Sequence, residues 1–143
     1  MTETNIQLNI RPFEPADEAA VIDLWHRCGL VVPWNDPKTD IALKLDFQPE
    51  LLLVGTLNNS VVATVMVGYE GHRGWINYLA VSPDHQSQGI GRRMMEEAES
   101  KLREIGCPKI NLQVRASNKS VIAFYEHLGF SDDHVIGLGK QLC

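Results

Sequence analysis

Between Trp75 and Gly106 an apolar run, WINYLAV, passes through SPDHQSQGIG into a long segment whose apolar residues return at every third or fourth position: Ile90, Met94, Met95, Ala98, Leu102 and Ile105. A strand followed by a helix with one apolar stripe has only one economical solution, in which the stripe is laid on a sheet that contains the strand. Gly106 and Pro108 close the helix. Its opening turn is less ordinary, because it holds Gly89 and Gly91, and a glycine inside a helix costs roughly 1 kcal/mol against alanine. Two of them there imply a ligand that approaches the backbone closely.

The flanking sequence supplies the other layers. IQLNIRPF alternates around Ile6, Leu8 and Ile10 and reads as a first strand; PADEAAVIDLWHRCG reads as a helix with acids at its start, an apolar face of Val21, Leu24, Trp25 and Cys28, and Gly29 as its stop. The next segment, VVPWNDPKTDIALKLDFQP, mixes three prolines with a short helical pattern around Ile41, Ala42 and Leu45. LLLVGTLNNSVVATVMVGY is a hairpin turning at Asn58 and Asn59, residues that tolerate positive φ. A turn at GHRG leads into WINYLAV; KINLQVRA is a further strand, SNKSVIAFYEHLGF a helix capped by Ser117 or Asn118, and HVIGLGKQL a last short strand. The expected class is α/β (α+β): a mixed, mainly antiparallel sheet flanked by about four helices, in a single domain spanning residues 1–143.

Composition narrows the function. No apolar run approaches the ~20 residues of a membrane span, and the N-terminus has neither a basic start nor a secretory core, so a cytoplasmic location is expected without a membrane partner. Cys28, Cys107 and Cys143 are odd in number and scattered, without metal-ligand spacing, so they read as reduced thiols and no metal is expected. A formal net charge of -5 disfavours a nucleic-acid partner.

A helix start offers unpaired N–H groups and about half a positive charge, which together favour an anion. Arg92 and Arg93 add formal charge at the same end, against the helix dipole. A dinucleotide fingerprint would need GxGxxG, and a P-loop would need GK[ST] after its glycines; neither is present. A third reading, a coenzyme A pyrophosphate site, rests on a family resemblance.

Gln86-Ser87-Gln88-Gly89-Ile90-Gly91 resembles the Q/R-x-x-G-x-G/A signature of the GCN5-related N-acetyltransferase (GNAT) superfamily, preceded by LAVSPDHQ, and VRASNKSVIAFYEHLGF resembles that family's later motif. The likeness runs from about Trp75 to Phe130; PWNDP and DIALKL also resemble the bacterial YpeA acetyltransferase group. It implies that WINYLAV and KINLQVRA splay apart into a slot for the pantetheine arm of acetyl-CoA. The backbone of Leu79, Ala80 and Val81 would pair with that arm, and Gln86, Ser87, Gln88, Gly89, Ile90, Gly91 and Arg92 would hold the pyrophosphate. Asn118 would bond the cofactor or simply cap its helix. Tyr125, two helical turns beyond Asn118, would protonate the leaving thiolate as general acid.

Ribosomal-protein N-terminal acetyltransferases place Glu five residues before the matching Asn, where this chain has Gln113. An amide cannot take a proton, which leaves Glu70 and His72, near the turn before WINYLAV, as candidate bases acting through water. The resemblance thus implies acetyl-CoA-dependent transfer to a primary amine, on a small molecule or a peptide, by direct attack in a ternary complex. The segment from Trp25 to Phe47, with Trp34, Asn35, Asp36 and Asp40, is expected to form the acceptor wall, its acids suiting a cation. Two rivals remain from other classes: a non-catalytic acyl-CoA-binding module, and a phosphate-binding domain using the glycine turn alone. A homodimer is compatible with the sequence, which does not fix the oligomeric state.

Overall fold

A computed structural model describes residues 7–143. It divides after Asn111 into two compact units. The first is a five-stranded sheet in the order β1 (Asn9–Pro12), β2 (Leu52–Leu57), β3 (Ser60–Tyr69), β4 (Gly74–Val81) and β5 (Ile110–Asn111). Neighbours are antiparallel except β4 and β5, which run parallel. Its helices are α1 (Glu18–Arg27), α2 (Pro37–Leu45) and α3 (Ile90–Glu104). The expected mixed, mainly antiparallel sheet is therefore present, and with α4 (Lys119–His127) in the second unit four α-helices are described.

The local causes are legible. Asn58 and Asn59 take φ of 50° and 67° between the paired Leu57 and Ser60, a two-residue turn whose twist suits a hairpin. Bidentate bonding of Arg11 to Asp17, at 2.8 and 3.0 Å, ties β1 to the approach of α1, and Asp17 also accepts from the Glu14 N–H at 2.8 Å. Buried Val21, Leu24 and Trp25 of α1 and Ile41 of α2 pack with Leu52, Val54 and Ala80 on one face of the sheet. On the other face α3 buries Ile90, Met94, Met95, Ala98 and Leu102. No helix among the described residues is long and apolar enough to cross a membrane.

Three expectations are corrected or fall outside the structure. Ile6, assigned to the first strand, lies outside the described residues. The strand read over KINLQVRA is only two residues long, because its ladder to β4 consists of Gly74 with Ile110 and Trp75 with Asn111. HVIGLGKQL forms no strand: His134 takes a φ of 56°, which breaks an extended path at its start, and Gly137 and Gly139 weaken the stretch beyond it. Val135, Ile136, Leu138 and Leu142 are left 77–91 % exposed.

In the second unit, Leu112–Cys143, Asn118 caps α4 by accepting from the Val121 N–H at 3.4 Å, and Gly129, at φ 98°, comes just after its end. Gln113 lies against Gly137, where a side chain would come within 2.7 Å of the Gln113 amide.

Candidate active site

Beyond Trp75, β4 runs on to Val81 with no further ladder to β5 among the described residues. That stretch of outer edge contains a bulge. Thr64 pairs with Ala80 and Met66 with Asn77, so Tyr78 and Leu79 together oppose the single Val65. Tyr78 sits at φ 52°, a left-handed conformation that costs a bulky L-residue of order 1–2 kcal/mol and persists only where surroundings enforce it.

The enforcement comes from three sides. The ring of Tyr78 is stacked on Trp25 of α1, with centroids 3.7 Å apart and planes 11° from parallel. Its hydroxyl donates to Asp40 Oδ2 of α2 at 2.5 Å. Its backbone carbonyl accepts from Thr64 Oγ1 at 2.8 Å, and that oxygen in turn accepts from Trp25 Nε1 at 2.9 Å. Burial, then the hydrogen bond to Asp40, pushes the Tyr78 hydroxyl well above the ordinary tyrosine range. The peptide bonds described are trans. The Leu79 N–H therefore points opposite to the Tyr78 carbonyl, away from the Thr64 hydroxyl.

At the end of β4 the chain turns through a short 3-10 segment at Pro83–His85 into α3. Gln86 turns its amide back to the Val81 carbonyl at 3.2 Å, which also accepts from Cys28 Sγ at 3.3 Å. Ser87 and Gly89 take positive φ, 65° and 80°. Gly89 is the N-cap of α3 and brings no capping side chain; no acid stands in the first turn; and a Cβ at Gly89 would meet nothing within 4 Å. The first intrahelical bond is from the Arg93 N–H to the Gly89 carbonyl, at 3.1 Å. The N–H groups of Ile90, Gly91 and Arg92 thus have no partner within the helix. Ile90 buries its side chain, whereas Gln88 and Arg92 are exposed. The geometry is that of an anion cradle continuous with the open strand edge.

The remaining candidates lie each within its own unit. Leu79 and Val81 are half-buried, and Ala80 points into the core against α1. Tyr125 is buried edge-on between Phe124 and Phe130, with ring centroids at 5.1 and 5.5 Å, and burial pushes its hydroxyl up to about 12. Glu70 is exposed and accepts from the N–H groups of Arg73, at 2.9 Å, and His72. Those bonds stabilise its charged form and lower its proton affinity, the wrong direction for a base. Asp36 caps α2, accepting from the Lys38 N–H at 3.3 Å and Thr39 Oγ1 at 2.8 Å. Among the described residues no cluster of His, Cys, Asp and Glu could hold a metal.

Sequence reasoning missed Tyr78. A period of two along WINYLAV puts Ile76, Tyr78 and Ala80 on one face, and the bulge breaks that period. A bulky tyrosine in αL carries no sequence signal, and Asp40, thirty-eight positions upstream, reads in the sequence as an acid of the acceptor wall and not as a partner of this tyrosine.

The acetyltransferase (GNAT) family model matches residues 18–130. Acetyltransferases of Pectobacterium atrosepticum and Sodalis glossinidius are each 47 % identical, with 94 % of this chain and 96 % of theirs covered. Among solved structures, the ribosomal-protein-S18-alanine N-acetyltransferase from Escherichia coli matches with a TM-score of 0.74 and 31 % identity, over 87 % of this chain and 78 % of that one.

Proposed function

The chain belongs to the acetyltransferase (GNAT) family, and from that premise we propose that it carries an acetyl group from acetyl-CoA to a primary amine by direct attack in a ternary complex. The observation that carries the reading is the uncapped start of α3, open at Gly89, directly after a strand whose outer edge is unladdered from Ile76 onward. These groups suit a pyrophosphate joined to an amide-bearing arm.

Acetyl-CoA, when bound, supplies the activated acyl group and a thiolate leaving group. The N–H groups from Gly89 to Arg92 hold the phosphates, with Arg92 adding charge. The Leu79 N–H, turned away from Thr64, bonds the acyl carbonyl of the arm's end. In the transfer step the acceptor nitrogen forms the new C–N bond as the C–S bond breaks. The sulfur takes the electron pair, and the Tyr125 hydroxyl, protonated at neutral pH, donates a proton to it and regains one from water once the thiol has left. Asn118 caps the helix that carries Tyr125. The acceptor gives up its own proton to water, since Gln113 cannot accept one and Glu70 is engaged in its turn.

That weak provision for a base bears on the acceptor. A lysine of pKa ~10.4 costs about 4.6 kcal/mol to neutralise at pH 7, an α-amine near 8 only about 1.4. The Escherichia coli structure is that of a ribosomal-protein-S18-alanine N-acetyltransferase, and a low-pKa α-amine is the class proposed here, without that enzyme's particular substrate. Screening amines and short peptides for thiol release from acetyl-CoA tests the reading. Turnover on at least one α-amine is expected; coenzyme binding without turnover on any amine would favour an acyl-CoA-binding module instead.

A further inference from the structure

We propose that Asp40, reaching from α2, is a positioning residue for acyl transfer: by holding the Tyr78 hydroxyl it fixes the β4 bulge whose peptide aims the Leu79 N–H along the open edge. The role rests on the acyl-transfer reading above.

The bulge is costly to hold. An isolated strand would relax Tyr78 out of φ 52° and restore a regular pleat. Regular pleating would swing the peptide between Tyr78 and Leu79 back into line with β3 and take the Leu79 N–H off the edge. Two restraints oppose this from inside the core, the stack on Trp25 and the bond from Thr64 to the Tyr78 carbonyl. The third is Asp40, and it is the one restraint that comes from α2. A carboxylate is a strong acceptor for a phenol, and the 2.5 Å separation is that of a charge-assisted bond. Asp36 cannot substitute, because both its oxygens serve the start of α2. The acid that the sequence offered as a direct contact for a cationic acceptor therefore acts through the tyrosine.

Direct recognition and positioning make different predictions for the same substitutions. In Asp40→Asn the amide oxygen still accepts from Tyr78 but the charge is gone; in Asp40→Ala both are gone. Positioning requires Asp40→Ala to lower kcat about tenfold with acceptor KM within about twofold, and Asp40→Asn to recover most of that loss. Tyr78→Phe should match Asp40→Ala, and the double variant should be no slower than either single one, since both break one link. Thr64→Val, which frees the carbonyl at the other end, should also lower kcat. Should Asp40→Ala fold poorly, Asp40→Asn against Tyr78→Phe gives the same contrast.

Binding supplies a readout that needs no turnover. Free coenzyme A lacks the acyl carbonyl, so releasing the bulge should weaken acetyl-CoA several-fold by calorimetry and leave coenzyme A unchanged. Asparagine and alanine variants equally impaired in acceptor KM would overturn the proposal in favour of charge recognition. So would additive losses in the double variant, or acetyl-CoA and coenzyme A shifting together. A parent enzyme that transfers acetyl groups while these variants match it sinks this role alone; a parent that binds neither coenzyme form sinks the acyl-transfer reading and this role with it.

Discussion

Gly89 and Gly106 share a backbone problem and differ in what surrounds them. Each is left-handed, at 80° and 83°, with nothing within 4 Å of an added Cβ, and they stand at opposite ends of α3. Any L-residue at either costs about 1–2 kcal/mol of backbone strain. Only Gly89 lies at the helix start, beside the free N–H groups. Gly89→Val should therefore weaken acetyl-CoA by tenfold or more in calorimetry, whereas Gly106→Ala should lose comparable stability and keep its affinity. Equal affinities in the two variants would move the pyrophosphate elsewhere. Tyr125 offers a second test. Burial raises its hydroxyl to about 12, so the neutral donor is retained as pH rises through 10, where an ordinary tyrosine would ionise. Rate against pH should show no alkaline loss from this group below pH 10. Tyr125→Phe should cut turnover by about a hundredfold with acetyl-CoA affinity within a few fold. The helix start at Gly89 and the place of Tyr125 on α4 were legible because both residues sit at fixed offsets in contiguous motifs. Tyr78 was not, since its conformation is imposed by Trp25, Thr64 and Asp40, which come from three other elements.

Elements whose signals lie within their own residues were the ones the sequence revealed. The Asn58–Asn59 turn, the stripe of α3 and the acid-led start of α1 need no distant partner to be recognised. β5 does need one: an apolar run becomes a strand only where a neighbour pairs with it, and β4 pairs with Ile110 and Asn111 alone. The prolines and acids around α2 hid a regular cap. Asp36→Ala should accordingly remove about 1 kcal/mol and lower Tm by about 3 °C, read by calorimetry. The link between β1 and α1 makes a pH prediction. Bonding to Arg11 holds the Asp17 carboxyl below its usual range. Its stabilisation is thus complete above the unfolded pKa near 4 and is lost as pH falls through the lower folded value. Denaturant unfolding from pH 6 to pH 2 should show a smaller acid loss in Asp17→Asn than in the parent; identical slopes would assign the acid sensitivity to other groups.

Across the whole molecule, the proposed acceptor choice follows from the weak provision for a base, and stability from how the open edge of β4 is used. Peptides matched in sequence, one offering an α-amine and one only a lysine, should differ in kcat/KM in favour of the α-amine at pH 7, with the gap narrowing toward pH 9 as the lysine loses its proton. The same edge has a colloidal consequence. A strand edge without a ladder is a template for any extended chain, including another copy of this protein. On the proposed reading, a coenzyme arm along Ile76–Val81 would act as a removable strand that denies the edge to such neighbours. At a hundred times its Kd it would also add about 2.7 kcal/mol to stability. Protein stripped of coenzyme should cloud sooner on warming than protein saturated with it, and coenzyme A, through the arm it shares with acetyl-CoA, should serve as the storage additive.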